Sequence, residues 1–226
     1  MERIPRCMAC AYDKAAKMAI DRYYRQIADE IVSQLKSGVV LDLGTGPGYL
    51  PIEIVKRAPT IRVIGIDLTR ELIRIAWENS LKAGVADKVS FEVMDATRLR
   101  FEDNSYDMVF STGMLHGIRS PDRVRKVLKE CYRVLKPGGE VWIYDPAKVC
   151  SGIDVKVWMA SLTFREKFLY KLFALYELFN PPHYYNQKEI AQIVAGTDFD
   201  DYRVETKDNE IRVKLRKPPR RGTVIY

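Results

Sequence analysis

Apolar residues follow two different periods along this chain, and the period changes several times. Short apolar runs of strand length occur at 39–44, 61–67, 89–95, 106–112 and 140–145, and amphipathic stretches of helix length separate most of them. Strands that alternate with helices in this way are typical of βαβ units, which build a parallel sheet with helices on both faces. The pattern therefore predicts an α/β fold with a Rossmann-like, doubly wound sheet.

Helices are predicted where apolar side chains recur every three or four residues. A leading helix is predicted within residues 1–37, because residues 11–36 show this spacing and a Ser-Gly pair follows them. The later stretches predict four further helices, at 49–57, 70–83, 121–135 and 187–195.

The chain changes character after the fifth predicted strand. Residues 146–197 are dense in aromatic side chains and predict a helical lid that is inserted after strand five. Residues 198–217 alternate between apolar and polar positions on either side of Asp208 and Asn209, which predicts an antiparallel hairpin. The hairpin would make the sheet a mixed, seven-stranded one, and residues 218–226 remain as a basic tail.

Size and composition favour one domain over residues 1–226, with its core at 38–145. The chain has 226 residues, 47% of them hydrophobic, which is enough to bury a substantial core. The net charge of +7 would suit nucleic acid, but a basic terminus is usually solvated, so nucleic-acid binding is an alternative that we do not favour. Six basic residues crowd near the C-terminus: Arg212, Lys214, Arg216, Lys217, Arg220 and Arg221.

Neither a signal peptide nor a membrane span is predicted. The first ten residues lack an apolar stretch, and no run approaches about eighteen consecutive apolar residues. We therefore expect a cytoplasmic protein whose four cysteines stay reduced. Cys7 and Cys10 have the spacing of a redox or metal pair, but no second pair completes a zinc site, so no metal is predicted.

Three glycines, Gly44, Gly46 and Gly48, follow the first predicted strand within five residues. A strand that runs into a helix needs one tight turn, for which a single glycine suffices. The surplus favours a ligand that lies against the backbone, at a helix N-terminus whose free N–H groups attract electron-rich groups.

Four predicted strands end in acidic or small polar residues, namely Asp42, Asp67, Asp95 and Ser111. Ligands of doubly wound sheets bind at the carboxyl ends of the strands. Asp67 lies nineteen residues beyond Gly48, the length of one helix and one strand, so we expect its carboxylate beside the glycine turn. There it can accept both hydroxyls of a ribose. Asp95 and the N–H of Ala96 form an acceptor and donor pair that suits the edge of an adenine.

A dinucleotide-binding motif would need a third glycine where this chain has Tyr49. Residues 39–145 instead resemble the class I S-adenosylmethionine-dependent methyltransferase family, in the small-molecule branch that includes the quinone-biosynthesis methyltransferases. Five segments carry the resemblance in the order of the family: LDLGTGPG, GIDLT, VMDAT, YDMVFSTGMLHGI and VLKPGGEVWIYD.

The resemblance implies a role for each residue of this constellation. The backbone from Gly44 to Gly48, with Thr45 and Gly46, would approach the methionyl part of S-adenosylmethionine, and Asp42 would engage its amino end. The other implied contacts are Asp67 on the ribose hydroxyls, Leu68 on the adenine face, Asp95 and Ala96 at the adenine amine, Ser111 at the sulfonium end and Tyr12 closing over the site.

The reaction that the resemblance implies is methyl transfer to a small molecule, with S-adenosylhomocysteine as the product. The aromatic residues of the predicted lid favour a hydrophobic or aromatic acceptor. Such an in-line displacement needs alignment and exclusion of water, and it needs a base only where the acceptor carries a proton. His116 follows the fourth strand and is either that base or a packing residue. His183 either reaches over the pocket or belongs to a surface loop.

The sequence alone leaves two other functions open. An RNA or protein methyltransferase would dock through the basic tail, and a non-catalytic protein would bind S-adenosylmethionine without turning it over. The aromatic lid favours a small acceptor, because a nucleic-acid platform would carry more Lys and Arg among its rings. The sequence does not predict the oligomeric state.

Overall fold

The computed structural model describes residues 8–147 and 181–219, together with positions 163, 164, 167, 168, 171 and 178. Three sequence predictions fall wholly or mostly outside these residues. They are the reduced state of Cys7, the helical lid at 146–197 apart from its C-terminal end, and the tail beyond residue 219.

The leading segment is not the single helix that the sequence predicts. It comprises α1 (Ala9–Met18), a π-helical turn (Ile20–Tyr24) and α2 (Arg25–Gln34). In the π-helical turn the N–H of Tyr24 donates to the carbonyl oxygen of Ala19, five residues earlier, at 3.2 Å. The extra residue in this turn changes which side chains face the sheet, and π-helical turns are frequent at functional sites.

Seven strands form one sheet in the order β3-β2-β1-β4-β5-β7-β6. The first five strands are parallel, and β7 is antiparallel to both β5 and β6. The strands are β1 (Gly38–Leu43), β2 (Ile61–Asp67), β3 (Val89–Val93), β4 (Tyr106–Thr112), β5 (Leu135–Pro146), β6 (Asp201–Lys207) and β7 (Glu210–Arg216). The predicted mixed, seven-stranded sheet is confirmed.

The sheet packs between helices on both faces, as predicted. Leu41 and Val109 belong to the core under α5 (Pro121–Val134) and α6 (Gln187–Val194), whereas Val40 and Met108 belong to the core under α2, α3 (Tyr49–Arg57) and α4 (Arg70–Lys82). This alternation of side chains along each strand is what two buried faces require. The helices between and after the strands are α3 (Tyr49–Arg57), α4 (Arg70–Lys82), a 3₁₀ turn (Leu115–Gly117), α5 (Pro121–Val134) and α6 (Gln187–Val194).

The closing hairpin turns at Asp208 and Asn209, as predicted. Their φ angles of 52° and 63° fit the tight turn that matches the twist of paired strands. At the other end of the molecule, β5 begins at Leu135, directly after α5, five residues before the predicted start. The chain reverses its strand order between β1 and β4, so a crevice forms there at the carboxyl edge of the sheet.

Candidate active site

The glycine turn joins β1 to α3 at this crevice. Gly44, Gly46 and Gly48 all have positive φ angles, of 75°, 54° and 78°. A Cβ on Gly48 would lie 2.8 Å from the Phe91 ring, so this glycine is required for packing. Among the described residues, a Cβ on Gly46 would meet only the Tyr12 ring, at 3.4 Å. Gly46 is therefore the point where the backbone of the turn is open toward the crevice.

Asp67 ends β2 beside the glycine turn, where its spacing in the sequence predicts it. One carboxylate oxygen accepts the N–H of Gly46 at 3.2 Å, and the other accepts the N–H of Thr69 at 2.8 Å. Burial raises the pKa of Asp67 above its usual value, and these backbone hydrogen bonds oppose that rise. The carboxylate thus shapes the turn and lies at its open side.

Asp42 lies next to the end of β1 and is only 2% exposed. Its Oδ1 has no hydrogen-bond partner among the residues that the structure describes. Burial raises the pKa of Asp42 to about 7, the Thr45 hydroxyl opposes the rise, and the charge of Asp67 adds to it. An unpaired buried carboxylate costs free energy, so this oxygen is a strong candidate for contact with a cationic group of a ligand.

Two further predicted residues lie at strand ends with different surroundings. Asp95 is half-exposed, and its Oδ1 accepts both the N–H and the hydroxyl of Thr97 at 2.9 Å. Ser111 is fully buried, and its hydroxyl donates to the carbonyl oxygen of Leu43 at 2.8 Å. The structure therefore places Ser111 between two strands instead of in the crevice, because its side chain bonds β4 to β1. Leu68 is half-buried and Ala96 is buried.

Helix α1 covers the glycine turn. The Tyr49 hydroxyl, at the start of α3, donates to Asp13 at 2.9 Å and so attaches α1 to this region. Tyr12 is 37% exposed, yet the pKa of its hydroxyl is raised to about 12, first by burial and then by nearby carboxylates. Those carboxylates belong to Asp67, Asp145 and Asp42.

His116 lies in the 3₁₀ turn after β4 and pairs with the end of β5. Its Nδ1 is 3.1 Å from Oδ1 of Asp145, and its ring stacks on Tyr184 with centroids 5.9 Å apart. The carbonyl oxygen of His116 accepts the N–H of His183 at 2.9 Å. Residues near the C-terminal end of the predicted lid segment are thus packed directly on the predicted base, and the His183 ring itself lies beside Tyr185 and Glu189.

Sequence reasoning missed two residues of this site. Asp145 ends the fifth strand, so the strand-end rule that selects Asp42, Asp67 and Asp95 would also have selected it. Tyr24 lies in the π-helical turn, and its pKa is raised first by burial and then by Tyr12 and Asp42. Nothing local predicts Tyr24, because its position depends on the π-helical turn.

The described ranges contain neither a metal-binding cluster nor a helix that could span a membrane. No group of three or more His, Cys, Asp or Glu side chains there could hold a metal ion. Within the same residues, no helix combines the length and the apolar character needed to cross a membrane.

Comparison with known proteins shows which proteins this chain resembles. Residues 40–139 match a family described as a methyltransferase domain. The chain is 31% identical over 134 residues to the ubiquinone/menaquinone biosynthesis C-methyltransferase of Geotalea daltonii, a match that covers 59% of this chain and 56% of that protein. The chain thus spans about half the length of the curated relatives it matches.

Solved structures show the same fold. A protein of Methanococcus maripaludis assigned as an S-adenosyl-L-methionine-dependent methyltransferase superposes with a TM-score of 0.74 at 21% identity, covering 98% of this chain and 97% of that one. Phosphoethanolamine N-methyltransferase 2 of Haemonchus contortus, solved with S-adenosylhomocysteine and phosphomonomethylethanolamine, has a TM-score of 0.64 at 21% identity and covers 86% of this chain and 52% of that one. These similarities support the predicted class I S-adenosylmethionine-dependent methyltransferase family and its cofactor: residues 40–139 match a methyltransferase domain, and the fold is shared with methyltransferase structures.

Proposed function

We propose that the protein transfers the methyl group of S-adenosylmethionine to a small, hydrophobic or aromatic acceptor. The observation that carries this proposal is Oδ1 of Asp42, which has no hydrogen-bond partner among the described residues and lies buried beside a glycine turn whose backbone is open at Gly46. A protein that binds no cationic ligand gains nothing from such an arrangement, whereas the amino group of the cofactor would satisfy that oxygen.

The residues of the crevice fit the parts of the cofactor in order along the sheet. Asp42 would hold its amino group, and the open backbone at Gly46 would approach its methionyl chain. Asp67 would accept the ribose hydroxyls, because its carboxylate already reaches the turn at Gly46. Asp95, Ala96 and Leu68 follow the next strands at the same edge and would surround the adenine.

The cofactor supplies a methyl group that its positive sulfonium already activates, so the chain contributes alignment, exclusion of water and a base. Tyr12 on α1 would exclude water, since its ring covers Gly46. His116 would accept the proton of the acceptor, because it lies after β4 at the same edge as Asp145 and Tyr184.

An aromatic acceptor with an acidic proton fits these surroundings best. The rings of Tyr184 and His116 lie parallel, and the Tyr12 ring lies over the turn, so flat apolar surface borders the crevice. The curated relative from Geotalea daltonii is a quinone-biosynthesis C-methyltransferase, which supports a quinol as the first acceptor to test. The acceptor of this chain is a proposal.

The test is methyl transfer from S-adenosylmethionine, labelled in its methyl group, to a reduced 1,4-naphthoquinone that has an unsubstituted ring carbon. We expect label in the extracted quinol, and none with the oxidised quinone, which has the same shape but neither the acidic hydroxyl nor the electron-rich ring. Failure of the reduced compound and of a panel of phenols would reject this acceptor class.

The alternative of an RNA or protein methyltransferase finds little support in the described part of the basic segment. Lys214 lies 3.5 Å from the centre of the Trp142 ring, and Lys217 donates to three oxygen atoms within the fold. Arg212 is hydrogen-bonded to Glu210. These cations stabilise the hairpin and the end of α5. Binding of single-stranded RNA that falls steeply with salt would revive the alternative.

A non-catalytic S-adenosylmethionine-binding protein is distinguished in the same assay. Such a protein would bind the cofactor and methylate neither the quinol nor any other acceptor supplied.

A further inference from the structure

Asp145 makes more contacts with the segment around His116 than a residue that only ends a strand would need. It is 4% exposed and lies in β5, one residue before the end of the strand. Its Oδ2 accepts the N–H of Leu115 at 2.6 Å, and its Oδ1 accepts the N–H of His116 at 3.0 Å. The same Oδ1 is 3.1 Å from Nδ1 of the His116 ring.

This geometry fixes the protonation of the ring. A neutral imidazole has one N–H donor and one acceptor nitrogen, and an ionised carboxylate only accepts. With Asp145 opposite Nδ1, the hydrogen of the neutral ring is held on Nδ1 and the lone pair is left on Nε2. Stacking on Tyr184, with an angle of 9° between the ring planes, also holds the orientation of the ring.

We propose that Asp145 is a positioning residue, which holds His116 in the tautomer whose Nε2 accepts the proton of the methyl acceptor. The proposal rests on the proposed methyl transfer. In that reaction the bond from the methyl carbon to sulfur breaks as the bond to the acceptor forms, and the acceptor's proton passes to Nε2. The sulfonium loses its positive charge while the imidazole gains one, next to the buried carboxylate of Asp145.

A purely structural role is the competing explanation, because two of the three contacts of Asp145 hold backbone N–H groups. Such a role would fix the 3₁₀ turn whatever side chain stood at position 116. The two explanations differ in what they predict for the ring: a structural role leaves the tautomer of His116 and its coupling to Asp145 without consequence for turnover.

The first experiment measures the tautomer directly and needs no acceptor. The chain has two histidines, so His183→Gln leaves one ring to observe in protein labelled with ¹⁵N-histidine. Above the titration of His116 we expect its hydrogen on Nδ1, and we expect Asp145→Asn to lower the share of that tautomer. Hydrogen on Nε2 in the parent protein, or an unchanged tautomer in Asp145→Asn, would overturn the proposal.

The second experiment is a double-mutant cycle with the reduced naphthoquinone as acceptor. Asp145→Asn should lower kcat about 100-fold with an unchanged KM for S-adenosylmethionine, and it should add less than about 2-fold to the loss in His116→Ala. Losses that multiply would mean that Asp145 acts through the fold, which would overturn the proposal. Asp145→Glu keeps the carboxylate and should recover part of kcat.

Asp107→Asn is the matched control, because Asp107 is also a paired carboxylate but bonds Val39 and Lys136 elsewhere on the sheet. We expect its kcat to equal that of the parent. If no acceptor is methylated by the parent protein, the proposed function fails, and the tautomer measurement alone decides the role of Asp145. If Asp145→Asn does not fold, the tautomer in the parent protein decides it.

Discussion

Asp42 and Asp145 lie near the ends of β1 and β5, and both are almost inaccessible to water, with exposed fractions of 2% and 4%. Their surroundings are opposite. Oδ1 of Asp42 has no partner in the described ranges, and burial raises the pKa of this carboxyl to about 7. Asp145 instead accepts two backbone N–H groups and faces the ring of His116.

Asp42 therefore has an oxygen that a ligand could pair with, whereas Asp145 holds other residues of the protein in position. A buried carboxylate without a partner destabilises the free protein, and a ligand that supplies a cation recovers that free energy on binding. Both oxygens of Asp145 accept backbone N–H groups, and one of them also faces the His116 ring, so this carboxylate orients parts of the protein. In the cofactor half of the crevice, which contains Asp42, Gly46 and Asp67, a buried carboxyl oxygen has no hydrogen bond from the described residues. The half on the side of β5, which contains His116 and Asp145, is held in place by hydrogen bonds before any ligand binds.

The half on the side of β5 is held by long-range contacts as well. The Tyr23 hydroxyl, in the π-helical turn, donates to Glu210 at 2.6 Å, and Arg212 also donates to Glu210. The Tyr144 hydroxyl donates to Glu30 in α2 at 2.8 Å. These contacts bond the leading segment to β5 and β7, so they hold the π-helical turn in a fixed place near the crevice.

The largest effect is expected where the backbone itself meets the ligand. Gly46→Leu should weaken the binding of S-adenosylhomocysteine more than about 100-fold, because a side chain there would enter the crevice at the open point of the turn. Titration calorimetry would measure the affinity. Binding that stays within about 3-fold of the parent would mean that the ligand does not lie against this turn.

Gly138→Leu is the matched control for Gly46→Leu. Gly138 also has a positive φ angle, 83°, and in the described part of the chain no heavy atom lies within 4 Å of the position its Cβ would take. The same strain of about 1–2 kcal/mol in the backbone applies at both positions. We therefore expect Gly138→Leu to lose a similar amount of stability and to keep its affinity for the ligand.

His116→Ala tests the half on the side of β5. It should lower turnover of the reduced naphthoquinone by about 100- to 1,000-fold, the usual contribution of a positioned base, while cofactor affinity stays within about 2-fold. Stopped-time assays at saturating cofactor would measure it. His183→Ala is the matched control and should retain most of its turnover, because the contact of His183 with His116 is made by its backbone.

The cofactor half could be predicted from the sequence because its signals are local. The three glycines follow one strand, and Asp67 lies one helix and one strand further on, which is enough to predict that the two meet. The sheet, most of its helices and the turn at Asp208 and Asn209 also follow from local periods and turn chemistry.

The contacts in the half on the side of β5 could not be predicted in this way, because they join residues that are distant in the sequence, although Asp145 itself lies at a predicted strand end. Asp145 and His116 are 29 positions apart, and Tyr23 and Glu210 are 187 apart. No local period indicates that a π-helical turn interrupts the leading helix. Ser111 is the opposite case, because its place near the end of a strand predicts a contact with the ligand. Its hydroxyl instead donates a hydrogen bond to the carbonyl oxygen of Leu43 on β1.

Asp67→Ala should have a smaller effect than the changes at Gly46 and His116. We expect it to cost about 2–3 kcal/mol of cofactor affinity, because it removes a charge-assisted contact with the ribose hydroxyls. Calorimetry with S-adenosylhomocysteine would measure the loss. Asp107→Ala removes a carboxylate that holds no predicted ligand group and should leave the affinity unchanged. A loss as large in Asp107→Ala would point to general destabilisation instead.

The smallest effect is a dependence of stability on pH that arises from Asp42. Its pKa is raised to about 7 in the folded protein, so the folded state binds the proton more tightly than the unfolded state. The stabilisation is complete below the unfolded pKa near 4 and is lost as the pH rises through about 7. Between pH 5 and pH 7.5 this loss is about 2 kcal/mol in the free energy of unfolding.

Asp42→Asn should remove this contribution, because an amide does not titrate. Urea unfolding of the parent and of Asp42→Asn between pH 5 and pH 7.5 would isolate it, since Asp67 and Glu210, whose pKa values burial also raises, are common to both proteins. Parallel stability curves would show that Asp42 is not held unpaired. At saturating cofactor we expect the curve of the parent to flatten, because an amino group paired with Asp42 keeps the carboxylate ionised in the folded state.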